Sequence, residues 1–338
     1  MVRVTITAPV SDDLEEHRRE ILAHCYRFFG NHAEAEDATQ ETMVRAWQRA
    51  SDFEGRSSVR TWLYRIATRI CLDMAKSPQR RALPVDLQTA GQVPEDPTTL
   101  RTLPESTWIG PIADHQLPER SDPAELAQLH DSVRLAFISA LQLLPPRQRA
   151  VLILRDVLAW SAAECGAALE LTVASVNSAL ARARRTMAGA RGVREESEVD
   201  GSGNRSLLDE ADRELMERYV SAFERYDVAG LVALLTEDAQ FSMPPFALWF
   251  EGRDSIEEWW NGPGAICRDS RLLLTRANGR PAVAAYHSVG DGRWEPFAIH
   301  VVDRAGDSIS SITHFMGAGV FEEFGLPDVI TEASDQGH

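Results

Sequence analysis

The sequence predicts a multidomain chain: two all-α modules followed by an α+β domain. Three observations predict it. Helical apolar periodicity dominates up to about residue 190, interrupted by one long irregular stretch. A charged, Gly- and Ser-rich break follows, REESEVDGSGNRS. Beyond it, two helical patterns give way to a run of strand-like segments, the order expected of an α+β layout. With 338 residues, two or three domains fit better than one.

In the first module (14–83), Ala35, Ala38, Thr42, Met43, Ala46, Trp47 and Ala50 recur at helical spacing. The opposite face carries Asp37, Gln40, Glu41, Val44, Arg45 and Gln48. A loop, SDFEGRSS, separates this helix from a second stripe, Val59, Trp62, Leu63, Ile66, Ala67, Ile70 and Met74. Residues 84–123 are rich in Pro, Thr and acids and lack a period, which predicts a linker that spans two modules.

In the second module (124–191), helices are expected over about 123–144 and 146–157. A short helix then starts at a Ser161 cap with Glu164 in the capping-box position. A turn at 170–173 leads into a last helix, whose Val176, Leu180, Ala183 and Met187 face inward. Its outer stripe is Ser175, Ser178, Arg182 and Arg185, bordered by Asn177, Ala181 and Arg184. This is a helix–turn–helix, a device that places polar side chains on base edges and Arg on phosphates. An ordinary αα-hairpin with a basic face is the bland alternative.

After a second linker (192–206), the third domain (207–326) should hold helices near 209–226 and 228–235. Strands are expected near 239–243, 270–277, 281–289, 294–303 and 307–316, with hairpin turns at 290–292 and 305–307.

Charge is unevenly spread over the total of −16. Residues 1–85 carry net +1, 86–123 net −5, 124–195 net +3 and 196–338 net −15. The first and third blocks can meet nucleic acid, whereas the last cannot without help. The N-terminus turns acidic where a signal peptide needs an apolar core, and no 18-residue apolar run exists. A cytoplasmic protein without membrane contact is expected. Cys25, Cys71, Cys165 and Cys267 are isolated in sequence, which argues against disulfides and metal sites, and no cofactor is expected.

EDATQETMVRAWQRASDFEGRSSVRTWLYRIATRICLDMAK resembles region two of the sigma family. LPPRQRAVLILRDVLAWSAAECGAALELTVASVNSALARARRTM resembles region four. The order and spacing of the two match the extracytoplasmic-function (ECF) branch of the sigma-70 RNA polymerase sigma factors over roughly 14–190. The resemblance implies a factor that binds core RNA polymerase, recognises promoter DNA and initiates transcription without being an enzyme. It assigns the polymerase clamp contact to Asp37, Gln40, Glu41 and Arg45. Promoter contacts fall to Arg56, Arg60, Arg65 and Arg69 in region two, and to Thr172, Ser175, Asn177, Ser178, Arg182 and Arg185 in region four. Asn177 and Ala179 depart from the Lys and Arg that commonly hold the early recognition positions.

Residues 207–325 resemble the SnoaL-like branch of the nuclear-transport-factor-2-like cone fold, through YVSAFERYDVAGLVALLTEDAQFSMPP and FEGRDSIEEWW. Such cones enclose a pocket, so an unknown small ligand joins the expected partners, and the domain is expected to regulate the sigma modules. His287, His300, His314 and Asp303 are the candidate pocket groups, with Tyr286 and Trp249 as walls. Two other readings stay open at this point. One is a ligand-sensing helix–turn–helix regulator that does not bind core polymerase, and the other is a cone-fold isomerase or cyclase with helical appendages.

Overall fold

The computed structural model describes residues 14–53, 55, 57–75, 81–192 and 210–332. It divides into two compact units. One comprises residues up to Arg81, Gln116–Glu119 and Leu135–Arg191; the other comprises Ala82–His115, Arg120–Arg134 and the chain from Gly192 onward.

The first unit is helical. Helices α1 (Arg18–Phe29), α2 (His32–Gln48) and α3 (Val59–Met74) pack around Ile21, Cys25, Tyr26, Phe28, Ala35, Ala38, Leu63, Ala67 and Ile70. Gly30 closes α1 in the left-handed region (φ 67°), and the Asn31 side chain accepts the Glu34 N–H at 3.0 Å to open α2. Trp47 departs from its expected place: it is 69% exposed, beside Val44. It sits one position beyond the buried Ala46, where the helix has already turned toward solvent.

The expected helix over 123–144 is two helices, α4 (Pro123–Asp131), which belongs to the second unit, and α5 (Leu135–Gln142) in the first. The break falls where Ser132 Oγ donates to Leu129 O and Val133 O is taken by a side chain, Asn278 Nδ2, at 2.7 Å. Helices α6 (Pro146–Leu152), α7 (Ala162–Leu169) and α8 (Val173–Gly192) complete the first unit. Ser161 and Glu164 form the expected capping box, with bonds of 3.2 and 2.8 Å. Gly166 lies so close to the following turn that a Cβ there would sit 2.6 Å from Leu171 O. The tight turn of the motif therefore requires glycine.

Arg149 is one of three buried arginines of this unit among the described residues, with Arg27 and Arg81. Its guanidinium donates to the carbonyls of Leu141 (2.9 Å), Gln142 (3.3 Å), Leu144 (3.2 Å) and Phe28. It thus satisfies orphan acceptors at the ends of α1 and α5.

The second unit is an α+β cone. Its sheet runs in the order β2 (Trp249–Glu251), β1 (Leu235–Ser242), β6 (Ser308–Met316), β5 (Arg293–Ala305), β4 (Arg280–Gly290) and β3 (Arg271–Ala277); β7 (Ile330–Thr331) pairs with β5. Among the described strands, only β1 and β6 pair in parallel. Helices α9 (Glu210–Glu224), α10 (Val228–Ala233) and α11 (Arg253–Asn261) share one core with the sheet, containing Met216, Tyr219, Phe223, Phe241, Phe250, Trp260, Val283 and Ile312. The β3–β4 hairpin turns on Asn278 and Gly279, both at positive φ (56° and 69°).

The stretch expected as a linker contains one four-residue helix (Pro84–Leu87) and short 3-10 turns, yet its residues 82–115 are laid onto the cone. Thr102 bridges to Phe246 and Ala113 to Ala277; Val93 and Leu100 pack against the core. Asn278 Oδ1 accepts the Ile112 N–H at 3.1 Å while its own N–H group holds Val133 O. Asp114 accepts from Arg276 (3.0 Å) and from the Gly279 N–H (2.8 Å).

Candidate nucleic-acid interface

Helix α8 presents its polar stripe to solvent. Val176, Leu180, Ala183 and Met187 are buried as the periodicity expects, and Thr172, Ser175, Asn177, Ser178, Arg182 and Arg185 are exposed. Ala179 is buried, so it cannot read a base edge. Thr172 Oγ1 accepts the Ser175 N–H at 3.1 Å and caps the helix. Arg182 is held by Ser178 at 2.6 Å. Arg184 is bound bidentately by Asp156, at 2.9 and 2.7 Å, within its own module. Arg182 and Arg185 are therefore exposed without an acidic partner in these pairings, whereas Arg184 braces the module through Asp156.

In region two, Arg60 lies over the Tyr64 ring at 5.3 Å and donates to Glu20 at 2.6 Å. Arg69 pairs with Glu170 at 2.7 Å; both are well exposed, so the pair contributes at most about 1 kcal/mol and yields readily to a phosphate. Arg65 is half-buried. Arg56 lies outside the described residues. Phe53 and Trp62 pack at 5.2 Å between centroids, which makes Trp62 a wall of the loop, more than the plain core residue its stripe suggests.

On α2, Asp37 and Gln40 are exposed, and Glu41 pairs with Arg45 at 2.6 Å. Val44 and Trp47 complete this face. Sequence reasoning placed Trp47 inside; its closeness to Arg45 and Gln48 on the polar face was the signal for the opposite reading.

The candidate pocket groups of the cone separate. His300 and His314 stack, with ring centroids 3.4 Å apart and planes 7° from parallel, and both are buried. Tyr219, which the sequence reading did not single out, places its hydroxyl 3.0 Å from His300 Nδ1. Burial first, and neighbouring imidazoles second, depress these rings: His314 to about 3 and His300 well below its ordinary value. His287 stacks on Phe297 at 3.3 Å, and burial lowers it to about 4. Asp303 is elsewhere, between Arg280 (3.0 Å) and Arg134 (3.3 Å). Burial pushes its pKa up, but the two cations outweigh it and hold the carboxyl below its ordinary range. Tyr286 donates to Pro327 O and Trp249 to Gln88 O, so neither hydroxyl nor indole N–H is free to line a pocket. Among the described residues no cluster of His, Cys, Asp or Glu could hold a metal ion, and no helix is long and apolar enough to cross a membrane.

These parts define a class: a helical region-two module, a helix–turn–helix of the region-four type, and an appended cone. Family models agree, with sigma-70 region 2 matching residues 14–81, sigma-70 region 4 matching 134–187 and the SnoaL-like domain matching 216–312. The chain is 42% identical over 318 residues to the ECF RNA polymerase sigma factor SigG of Mycobacterium tuberculosis, covering 93% of this chain and 83% of that one. It therefore belongs to the ECF RNA polymerase sigma factors. SigW of Bacillus subtilis, another ECF sigma factor, is 28% identical over 177 residues, 52% of this chain and 86% of its own. The crystal structure of the ECF sigma factor SigJ of M. tuberculosis shares the fold, with a TM-score of 0.55 at 22% identity, covering 94% of this chain and all of that one.

Proposed function

We propose that this sigma factor grips core polymerase through the α2 face, reads the upstream promoter element with α8, and is regulated by its own cone. The observation that carries the regulatory part is the path of residues 82–134. This stretch joins the two promoter-binding modules, and its residues 82–115 and 120–134 are hydrogen-bonded to the cone through Asn278, Asp114 and Trp249. Whatever alters the cone alters the tether between the two DNA-contacting modules. The cone is not assigned a reaction, because its carboxylate Asp303 is neutralised by two arginines and its histidines lack an acidic partner.

Transcription in vitro with purified core polymerase tests both parts. Full-length protein is expected to direct initiation from its promoters. Asp37→Arg with Trp47→Ala is expected to abolish co-purification with core while helical circular dichroism is retained. Truncation after Gly192 removes the surface that holds 82–134, and should change promoter output in either direction. Equal output from the truncated and full-length proteins at every salt concentration removes the regulatory role.

A further inference from the structure

Residues 82–134 double back on themselves at two points, and both points lie within the second unit. At the first, Ala82 bridges to Trp108. Its N–H donates to Thr107 O at 2.9 Å, and its carbonyl accepts from the Ile109 N–H at 3.1 Å. At the second, one side chain of the β3–β4 turn holds both ends of a loop. Asn278 Oδ1 accepts the Ile112 N–H at 3.1 Å, and Nδ2 donates to Val133 O at 2.7 Å. The Asn278 N–H donates to Ile112 O at 3.0 Å as well. Ile112, Val133 and Asn278 are all fully buried, so water does not compete for these bonds. Next to Val133, Arg134 adds an ion pair to Asp303 at 3.3 Å.

This folding shortens the tether between the two promoter-binding modules. Fully extended, residues 82–133 would reach roughly 180 Å. With both closures made, Ala82 and Val133 are joined through the bridge, the run 108–112 and one amide side chain. That path is at most about 30 Å long. B-DNA rises about 3.4 Å per base pair, so the closed tether spans about nine base pairs, less than one helical turn. Releasing the Asn278 closure at either end returns residues 113–132 to the tether and extends its limit to roughly 90 Å.

We propose that Asn278 is the positioning residue of a length-setting latch: its amide closes the loop 113–132 and limits how far the region-two and region-four modules can separate. The latch opens when both modules engage a promoter, and loosening it raises promoter output. This rests on the reading that the cone regulates the factor through residues 82–134, and gives that regulation a residue, a direction and a distance. Helix α4 lies inside the loop and reports its state. A helix of nine residues does not persist in water by itself, so release from the cone opens its amides to exchange.

The test is hydrogen–deuterium exchange on the full-length chain, free and bound to core polymerase and promoter DNA, together with transcription in vitro. In the wild-type protein, α4 is expected to exchange slowly when free and at least about tenfold faster in the promoter complex. Asn278→Gly accepts the same positive φ (56°) and removes both side-chain bonds. It should speed α4 exchange in the free protein about tenfold to a hundredfold, the loss of two hydrogen bonds, and increase initiation. Asn278→Asp keeps the acceptor for Ile112 but turns a carboxylate oxygen toward Val133 O, and should loosen α4 while Ile112 stays protected. If Asn278→Gly does not fold, Arg134→Gln loosens the same end without touching the turn and should also increase initiation. If α4 remains protected in the wild-type promoter complex, the loop is not released and the latch does not exist. Faster exchange in the variants with output at the wild-type level makes Asn278 a structural residue only, and also overturns the proposal. In either case truncation after Gly192 still changes output if the cone regulates the factor; unchanged output there sinks the wider reading instead.

Discussion

Arg149 and the His300–His314 pair are polar groups withdrawn from water, and the two units treat them in opposite ways. Arg149 satisfies four carbonyls and packs its guanidinium 5.3 Å from the Phe28 ring centre. Every partner is a backbone group of the fold, so the residue holds helix ends together with four of its five N–H donors. Burial lowers its pKa to about 10, with Cys71 opposing, and it stays charged at neutral pH. The histidine pair has one internal bond to Tyr219 and two nitrogens left open. A saturated buried group reads as architecture; the histidine pair keeps hydrogen-bonding capacity that the fold leaves unused.

The sharpest way to break this comparison is Arg149→Met. Four carbonyls would lose their donor, and we expect a loss of about 3 kcal/mol of stability, read by denaturant unfolding of the helical signal. His314→Phe, by contrast, removes an open polar atom from an apolar core without stranding the Tyr219 hydroxyl, and should be close to neutral. A large loss there would mean that the ring is structural after all.

A second difference concerns pH. The buried histidines have folded pKa values below 6.5, the value they return to on unfolding. Their contribution is therefore complete above pH 6.5. It falls as acid protonates the unfolded chain, and continues to fall toward the folded values of about 4 for His287 and about 3 for His314. His24 in the helical unit, lowered to about 3 by burial and then by Arg27, follows the same rule. Unfolding midpoints measured from pH 7 to pH 4 should decline, and His314→Phe should flatten part of the decline.

The smallest effect sharpens the contrast on the DNA side. Arg182→Ala with Arg185→Ala should reduce the slope of log affinity against log salt by about 1.8 for upstream-element DNA. Arg184→Ala should leave that slope nearly unchanged, because Asp156 already holds the guanidinium. Asn177→Ala should alter base preference more than affinity. Footprinting over a salt series separates the three.

How much of this was legible in the sequence depended on whether the determinant was local. The helix–turn–helix was readable, because the Ser161–Glu164 capping box and the apolar positions of α8 are fixed by neighbours a few residues away. The five principal strands were readable to within a few residues for the same reason. Trp47 was misplaced because one helical position separates a buried from an exposed side chain. Helix α11 was not assigned, and the Asn278–Gly279 turn, the strongest hairpin signal in the domain, was passed over. The path of residues 82–134 could not be read at all. It is held by backbone bridges and by side chains about 150 positions away along the chain, and such pairing leaves no period. The histidine pair was half legible: both residues were candidates, but only the register of β5 against β6 brings them together and sends Asp303 elsewhere.

That register has a consequence for how the protein is made. Residues 82–115 and 120–134 leave the ribosome well before the cone on which they come to rest, which is complete only once β3 to β6 have been synthesised. At about 5–20 residues per second, the delay between residue 134 and residue 316 is on the order of ten seconds. During that interval the region-four helices can fold, while Ile109 and Ile112 still wait for the surfaces that will bury them. A nascent sigma factor thus passes through a period in which both promoter-binding modules exist and the strap between them is unclaimed. A stalled or prematurely terminated chain would preserve that state.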